Sequence, residues 1–234
     1  AIYSVSYTSR IQGAKNILIV TDGVFSMDGY LAKLTEIRAV ADEFGAILMV
    51  DDCHATGFMG PQGRGTPAHA GVAADIVTGT LGKALGGALG GYIAGPQPVI
   101  DLLRQRARPY LFSNALPPAI VAAGLAALKI LEDESMIERV QAIAPVFEKS
   151  IHELGNAPRV VDIRNYGLAG GLTLAPYEGE PLRRPFEVAM SMWKKGFYVR
   201  YGGDTIQLGL PFVVKEQEVT TLMSALGDSL SECA

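Results

Sequence analysis

The stretch TGTLGKALGGALGG, residues 78–91, sets one lysine, Lys83, among six glycines, with Thr78 and Thr80 the only other polar side chains. A lysine is a carbonyl chemist's residue: where its surroundings disfavour the charged form, the free amine attacks an aldehyde and forms a Schiff base. Glycines around it let main chain come close to a planar or phosphorylated ligand and leave nothing to block the amine. The reading requires a dry place for Lys83. The same residues also fit a glycine-rich turn that carries an exposed lysine.

A second group stands in VDDCHATG, residues 50–57. A carboxylate at the end of a buried strand costs on the order of several kcal/mol unless it is paired, so Asp51 needs a cationic partner. A protonated pyridine nitrogen is one, and an aspartate facing that nitrogen is a mark of pyridoxal phosphate chemistry. His54, three residues on, could donate to the phenolic oxygen of the same ring or stack near it. Read alone, the Asp-Asp pair also fits a helix cap and His54 a surface turn.

The whole chain bounds these possibilities. Its 234 residues, 49% hydrophobic, suffice for one large or two modest domains. A formal charge of −4 without a basic cluster argues against nucleic acid and against anionic lipid as partners. Cys53 and Cys233 lie far apart, and neither they nor His54, His69 and His152 show metal-ligand spacing. No metal site is expected. The glycines lack the arrangement of a Walker phosphate loop. Neither a signal peptide nor a spanning stretch is visible, which fits the cytoplasm or an organelle matrix. The opening AIYSVSYTSR, without an initiator methionine, reads as the interior of a longer protein.

The elements that would hold Lys83 and Asp51 follow from hydrophobic period. NILIVTDGV, GAILMVDD, ADIVTGTLG and GGYIAG are short apolar strands, and YLAKLTEIRAVADEF puts Leu34, Ile37, Ala41 and Phe44 on one helical face. Such strands separated by helices predict an α/β domain with a parallel or mixed sheet covered on both faces. In that arrangement, residues just past the carboxyl ends of strands line the ligand crevice, which is where Asp51 and Lys83 fall. The helical run from Pro117 to Leu154 is predicted to break near Pro145. RVVDIRNYG and GLTLAP then read as strands, RPFEVAMSMWKKG as a helix, FYVRYGGDTIQLG as a hairpin and KEQEVTTLMSALGDSL as a closing helix. The division expected is residues 1–134, a partial large domain, and 135–234, a small α+β domain.

Residues 15–130 closely resemble the large domain of the α-oxoamine synthases, fold-type I pyridoxal phosphate enzymes. TDGVFSMDG, VDDCHATGFMGPQGRGT, TGTLGKALGGALGGY and LLRQRARPYLFSNALPP look most like the glycine-acetylating members. The resemblance implies pyridoxal 5'-phosphate as cofactor, Lys83 as the Schiff-base lysine and Asp51 as partner of the ring nitrogen. It also implies His54 and Ser26 at the phenolic edge and Thr80 at the phosphate. Ser113, in LFSN, would reach the phosphate of a neighbouring subunit, implying a homodimer with shared sites. From residue 135 onward, VVDIRNYGLAGGLTLAP and RPFEVAMSMWKKGFYVRYGGDTIQLGLPF resemble instead the C-terminal domain of class III ω-amino acid aminotransferases. There Arg200 matches the arginine that grips a substrate carboxylate, a task suited to its bidentate fork.

The fold class so implied is α/β: the C-terminal portion of a fold-type I pyridoxal phosphate transferase, with a mixed, mostly parallel sheet, plus a small α+β domain. The chain reads as a hybrid with a seam near residues 118–128, and as lacking the front part of both families. Two reactions on an amino acid follow: acyl transfer from acetyl-CoA to glycine, or transamination with a keto acid. A truncated, inactive piece of the same fold is a third expectation. Arg104, Arg106 and Arg108 read as a solvated helix face rather than a coenzyme A phosphate site.

Overall fold

The computed structural model describes residues 15–86, 89–112, 115–133 and 135–234. β1 (Leu18–Asp22) leads into a small hairpin of β2 (Val24–Phe25) and β3 (Tyr30–Leu31), and α1 (Leu34–Glu43) returns the chain to β4 (Ile47–Asp51). A 3-10 turn at Pro61–Gly63 and α2 (Thr66–Ala70) precede β5 (Ile76–Thr80), and the segment bearing Lys83 leads to β6 (Gly91–Ala94). The sheet order is β1-β4-β5-β6; β1, β4 and β5 run parallel and β6 antiparallel. This is the mixed, mostly parallel sheet expected from the strand texture.

Strand period two decides which residues meet α1. Leu48 and Val50 of β4 point to one face and bury against Leu34 and Ala41 of α1, with Ile37 packed alongside. Leu18, Val20 and Ile47 point to the other face and are exposed, so the expected cover holds on the α1 side and not along β1. Phe44 departs from expectation too: α1 ends at Glu43, and Phe44, as its C-cap with φ −100° and ψ 5°, leaves the helical stripe and is exposed.

Three helices, α3 (Gln97–Arg106), α4 (Arg108–Leu111) and α5 (Pro118–Asp133), lead to α6 (Met136–Glu153). Arg104, Arg106 and Arg108 are exposed. The helical run breaks at Ser135, which takes the left-handed conformation (φ 48°), and Pro145 sits inside α6. A mid-helix proline costs about 3 kcal/mol, but α6 buries Val140, Phe147 and Ile151 on one stripe. Each is worth about 1.5–3 kcal/mol, so packing carries the helix through the proline.

The second sheet is antiparallel, in the order β7-β8-β10-β9: β7 (Val160–Tyr166), β8 (Ala169–Leu174), α7 (Arg183–Lys194), then the hairpin β9 (Arg200–Gly202) and β10 (Thr205–Gly209), closed by α8 (Glu216–Glu232). Phe147, Ile151, Leu172, Ile206 and Leu226 form its core, and the same cluster takes in Val24, Ala55, Phe58 and Met59 from the first half. Phe58 meets Phe212 edge-to-face at 5.8 Å between ring centroids. This shared core fixes the loop after β4 against the C-terminal sheet, and the site lies along that seam. Among the described residues no helix is long and apolar enough to cross a membrane.

Candidate active site

Because β4 and β5 are parallel and register Asp51 against Thr78, their carboxyl ends emerge on the same edge of the sheet. Asp51, Thr78 and Thr80 share one face by strand alternation. The chain leaving β4 carries Cys53 and His54 within a turn, and the chain leaving β5 carries Lys83 within another. A cavity of about 500 Å³ opens there, lined by Ser26, His54, Lys83, Arg200 and the rings of Phe58 and Phe212, among others. Four of the residues singled out in the sequence, from segments far apart in the chain, thus share one cavity. Asp51 and Thr80 stand at the strand ends and are not part of its lining. Ser113 lies outside the described residues.

One position differs from expectation. Lys83 is exposed, not in a dry pocket, because the cavity is open and the glycine beside it provides no side chain to bury the amine. Arg200 begins the edge strand β9 and is exposed while still facing the cavity.

Charge ties the group together. Burial alone would raise the Asp51 carboxyl, but the Cys53 N–H, which donates to Asp51 Oδ1 at 3.0 Å, the Cys53 thiol, nearby Thr78 and the Lys83 charge outweigh it, holding Asp51 below the usual carboxylate range. Burial and the Asp51 carboxylate push the Cys53 thiol up. Burial and then the Lys83 charge push His54 down, against the opposing pull of Asp51 and Asp22. The hydroxyls of Thr78 and Thr80 are buried without a hydrogen bond of good geometry among the described residues. They lie near enough to Asp51 and Cys53 to favour the anionic forms, but not in bonding geometry.

Asp52, the neighbour of Asp51, is 1% exposed and takes the capping role. It accepts hydrogen bonds from Thr66 N at 3.1 Å, Thr66 Oγ1 at 2.5 Å and Thr56 Oγ1 at 3.0 Å, which pins α2 to the end of β4. Sequence reasoning passed over Tyr198, Gln207 and Phe212, which also line the cavity. Phe212, at a strand exit within LGLPF, had a signal in its position; the other two had none.

A parallel-strand edge that brings an amine, an imidazole and a guanidinium to one cavity, with a lowered carboxylate at the strand end beside it, is an α/β site suited to an electrophilic, anionic ligand. The chain matches the family model "Aminotransferase class I and II" over residues 6–177, and it belongs to that family. It is 51% identical over 150 residues to the 2-amino-3-ketobutyrate coenzyme A ligase of Escherichia coli (strain K12), covering 63% of this chain and 38% of that protein. With the mitochondrial enzyme of the same name from Mus musculus it shares 44% over 185 residues, 78% of this chain and 42% of the relative. An omega-amino acid–pyruvate aminotransferase of Pseudomonas putida is 45% identical over 124 residues, 53% of this chain and 28% of the relative. Among solved structures, a serine palmitoyltransferase variant from S. paucimobilis with bound PLP-myriocin aldimine superposes with a TM-score of 0.82 at 25% identity, covering 96% of this chain and 57% of that one. The chain therefore spans about two fifths of the length of the first two relatives. The expected fold, that of the fold-type I pyridoxal phosphate transferases, holds.

The donor set fits such a cofactor. The buried hydroxyls of Thr78, within β5, and Thr80, at its end, lack hydrogen-bond partners among the described residues, as donors kept for an anionic group would. Asp51, held anionic, suits a protonated ring nitrogen, and Lys83 offers an amine at the cavity wall.

Proposed function

We propose that the chain is a pyridoxal 5'-phosphate-dependent transferase acting on amino acids, with glycine and acetyl-CoA as its substrates. The observation that carries this reading is the convergence of Lys83, His54, Ser26 and Arg200 on one cavity beside Asp51. When bound, the cofactor would supply an aldehyde and an electron-withdrawing ring that stabilises negative charge at the substrate Cα. Lys83 would hold the aldehyde carbon and, released from it, move the Cα proton at its Nζ. Asp51 would keep the ring nitrogen protonated. His54 and Ser26 would hold the phenolic edge, and Thr80 and a neighbouring subunit's Ser113 the phosphate, which makes the working form a homodimer. Residues 1–134 would form the partial cofactor-binding domain and 135–234 the small domain, in a cytoplasmic or organelle-matrix protein.

One observation favours a second reading, ω-amino acid:pyruvate transamination. Arg200 faces the cavity, and a guanidinium there suits a substrate carboxylate.

The test is the visible absorbance of the purified chain after pyridoxal phosphate is added and the excess removed, beside Lys83→Ala. A band that borohydride fixes covalently in the parent and that the variant lacks supports the reading. Turnover that needs both glycine and acetyl-CoA then supports acyl transfer, and bleaching by an amino donor alone supports transamination. Absence of the band in both proteins would mean a folded but inactive piece.

A further inference from the structure

We infer that Arg164 and Gln207 are positioning residues: from the antiparallel sheet they clamp the main chain of the β2–β3 turn, residues 26–29, and so hold one wall of the cavity in place. The identity of the ligand rests on the function proposed above; the clamp does not.

The turn supplies Ser26 and Gly29 to the cavity. It has little to hold it by itself. β2 and β3 are two residues each and pair only with one another, and a lone hairpin is marginal in water. Val24 anchors its base in the main core, but Phe25, Met27 and Tyr30 are exposed, so no apolar burial fixes the tip.

The clamp comes from residues 136 and 180 positions further along the chain. The Arg164 side chain is 9% exposed, and every nitrogen of its guanidinium is committed. Nη1 pairs with the Asp162 carboxylate, Nη2 donates to Thr173 Oγ1 at 2.8 Å, and Nε donates to the main-chain oxygen of Asp28. The guanidinium also lies 4.7 Å from the centroid of the Tyr30 ring. Asp162 and Thr173 belong to the sheet, so they make the guanidinium a fixed post against which the turn docks. Gln207 on β10 completes the hold, its Nε2 donating to the Met27 oxygen at 2.8 Å. Gly202 of the neighbouring strand lets Met27 and Gln207 approach, since a Cβ there would fall within 2.9 Å of Gln207 Nε2 and overlap the Met27 methyl.

Both turn acceptors are main-chain carbonyls, so the clamp fixes the backbone of the turn whatever side chains it carries. A planar fork with three simultaneous partners is the chemistry required; a lysine in its place keeps the charge and loses the geometry.

The experiment is amide hydrogen exchange on the purified chain without cofactor, for the parent, Arg164→Lys and Gln207→Leu, followed by pyridoxal phosphate titration of all three. Exchange in residues 24–32 should speed up about tenfold in each variant, as for a local opening that loses one hydrogen bond. Residues 47–51 of β4 should keep the parent's protection. Pyridoxal phosphate affinity should weaken in parallel. Unchanged exchange in residues 24–32 of both variants, or equal acceleration in β4, would overturn the clamp. Should Arg164→Lys unfold, Gln207→Leu decides alone. A parent that takes up no pyridoxal phosphate counts against the proposed function and leaves the exchange result to judge the clamp.

Discussion

Asp51 and Asp52 are adjacent in the chain and serve different structures. Asp51 closes β4 beside the cavity residues, and Asp52 is sealed under α2 with hydrogen bonds from Thr66 and Thr56. Asp52→Asn puts an amide donor against donors, so it should destabilise the fold by about 2–3 kcal/mol, as for loss of a charge-assisted buried network. Asp51→Asn should cost less stability and weaken pyridoxal phosphate retention more. Urea unfolding and cofactor retention, run on both variants, check the separation; equal stability losses would refute it.

Gly65 shows how tightly that cap is built. Its φ is +88°, and a Cβ there would overlap the Asp52 carboxylate. Gly65→Ala therefore combines backbone strain with displacement of a buried carboxylate, and should cost about 2–4 kcal/mol. Gly45→Ala is the control: its φ is +60° with nothing near the added atom, so only the strain remains. The smaller loss belongs to Gly45→Ala in a thermal or urea melt, and the reverse order would contradict the cap.

The site was legible wherever its signal was local. Lys83 and Asp51 each follow a short apolar strand and an abrupt change of texture, which marks the carboxyl edge of a sheet without knowledge of the fold. Arg200 carried no such mark and came only from resemblance. Arg164 and Gln207 left no pattern, because each bonds a main-chain carbonyl more than a hundred residues away. The break at Ser135 instead of Pro145 was hidden for a related reason: the stripe of Val140, Phe147 and Ile151 that overrides the proline is held by a sheet formed later in the chain.

The exposed face of β1 carries its own expectation. Leu18 is 54% exposed and Val20 58%, on the edge strand of the first sheet. An apolar edge strand is a template for pairing between chains. Val20→Lys should reduce concentration-dependent association in light scattering with little change in the unfolding midpoint. Association that persists in the variant would place its cause elsewhere.

His54 provides the pH test of the charge cluster. Burial and the Lys83 charge hold its titration below the ordinary value of 6.5, against Asp51 and Asp22, with Arg200 adding a smaller push in the same direction. As pH falls below 6.5, the unfolded chain takes up a proton at this imidazole that the folded chain resists. Stability is therefore lost from 6.5 down to the folded midpoint and levels off beneath it. Asp51 acts in a separate window: its lowered carboxyl stabilises the fold above 3.8 and loses that contribution as pH falls through its folded midpoint. An NMR titration of the His54 ring should give a midpoint under 6.5 in the parent. Lys83→Ala, by removing the cation with the larger effect, should move that midpoint upward, and Arg200→Ala should move it less. A parent midpoint at or above 6.5, or one that ignores Lys83→Ala, would separate His54 from the cluster and remove the electrostatic argument for placing both residues at one reacting centre.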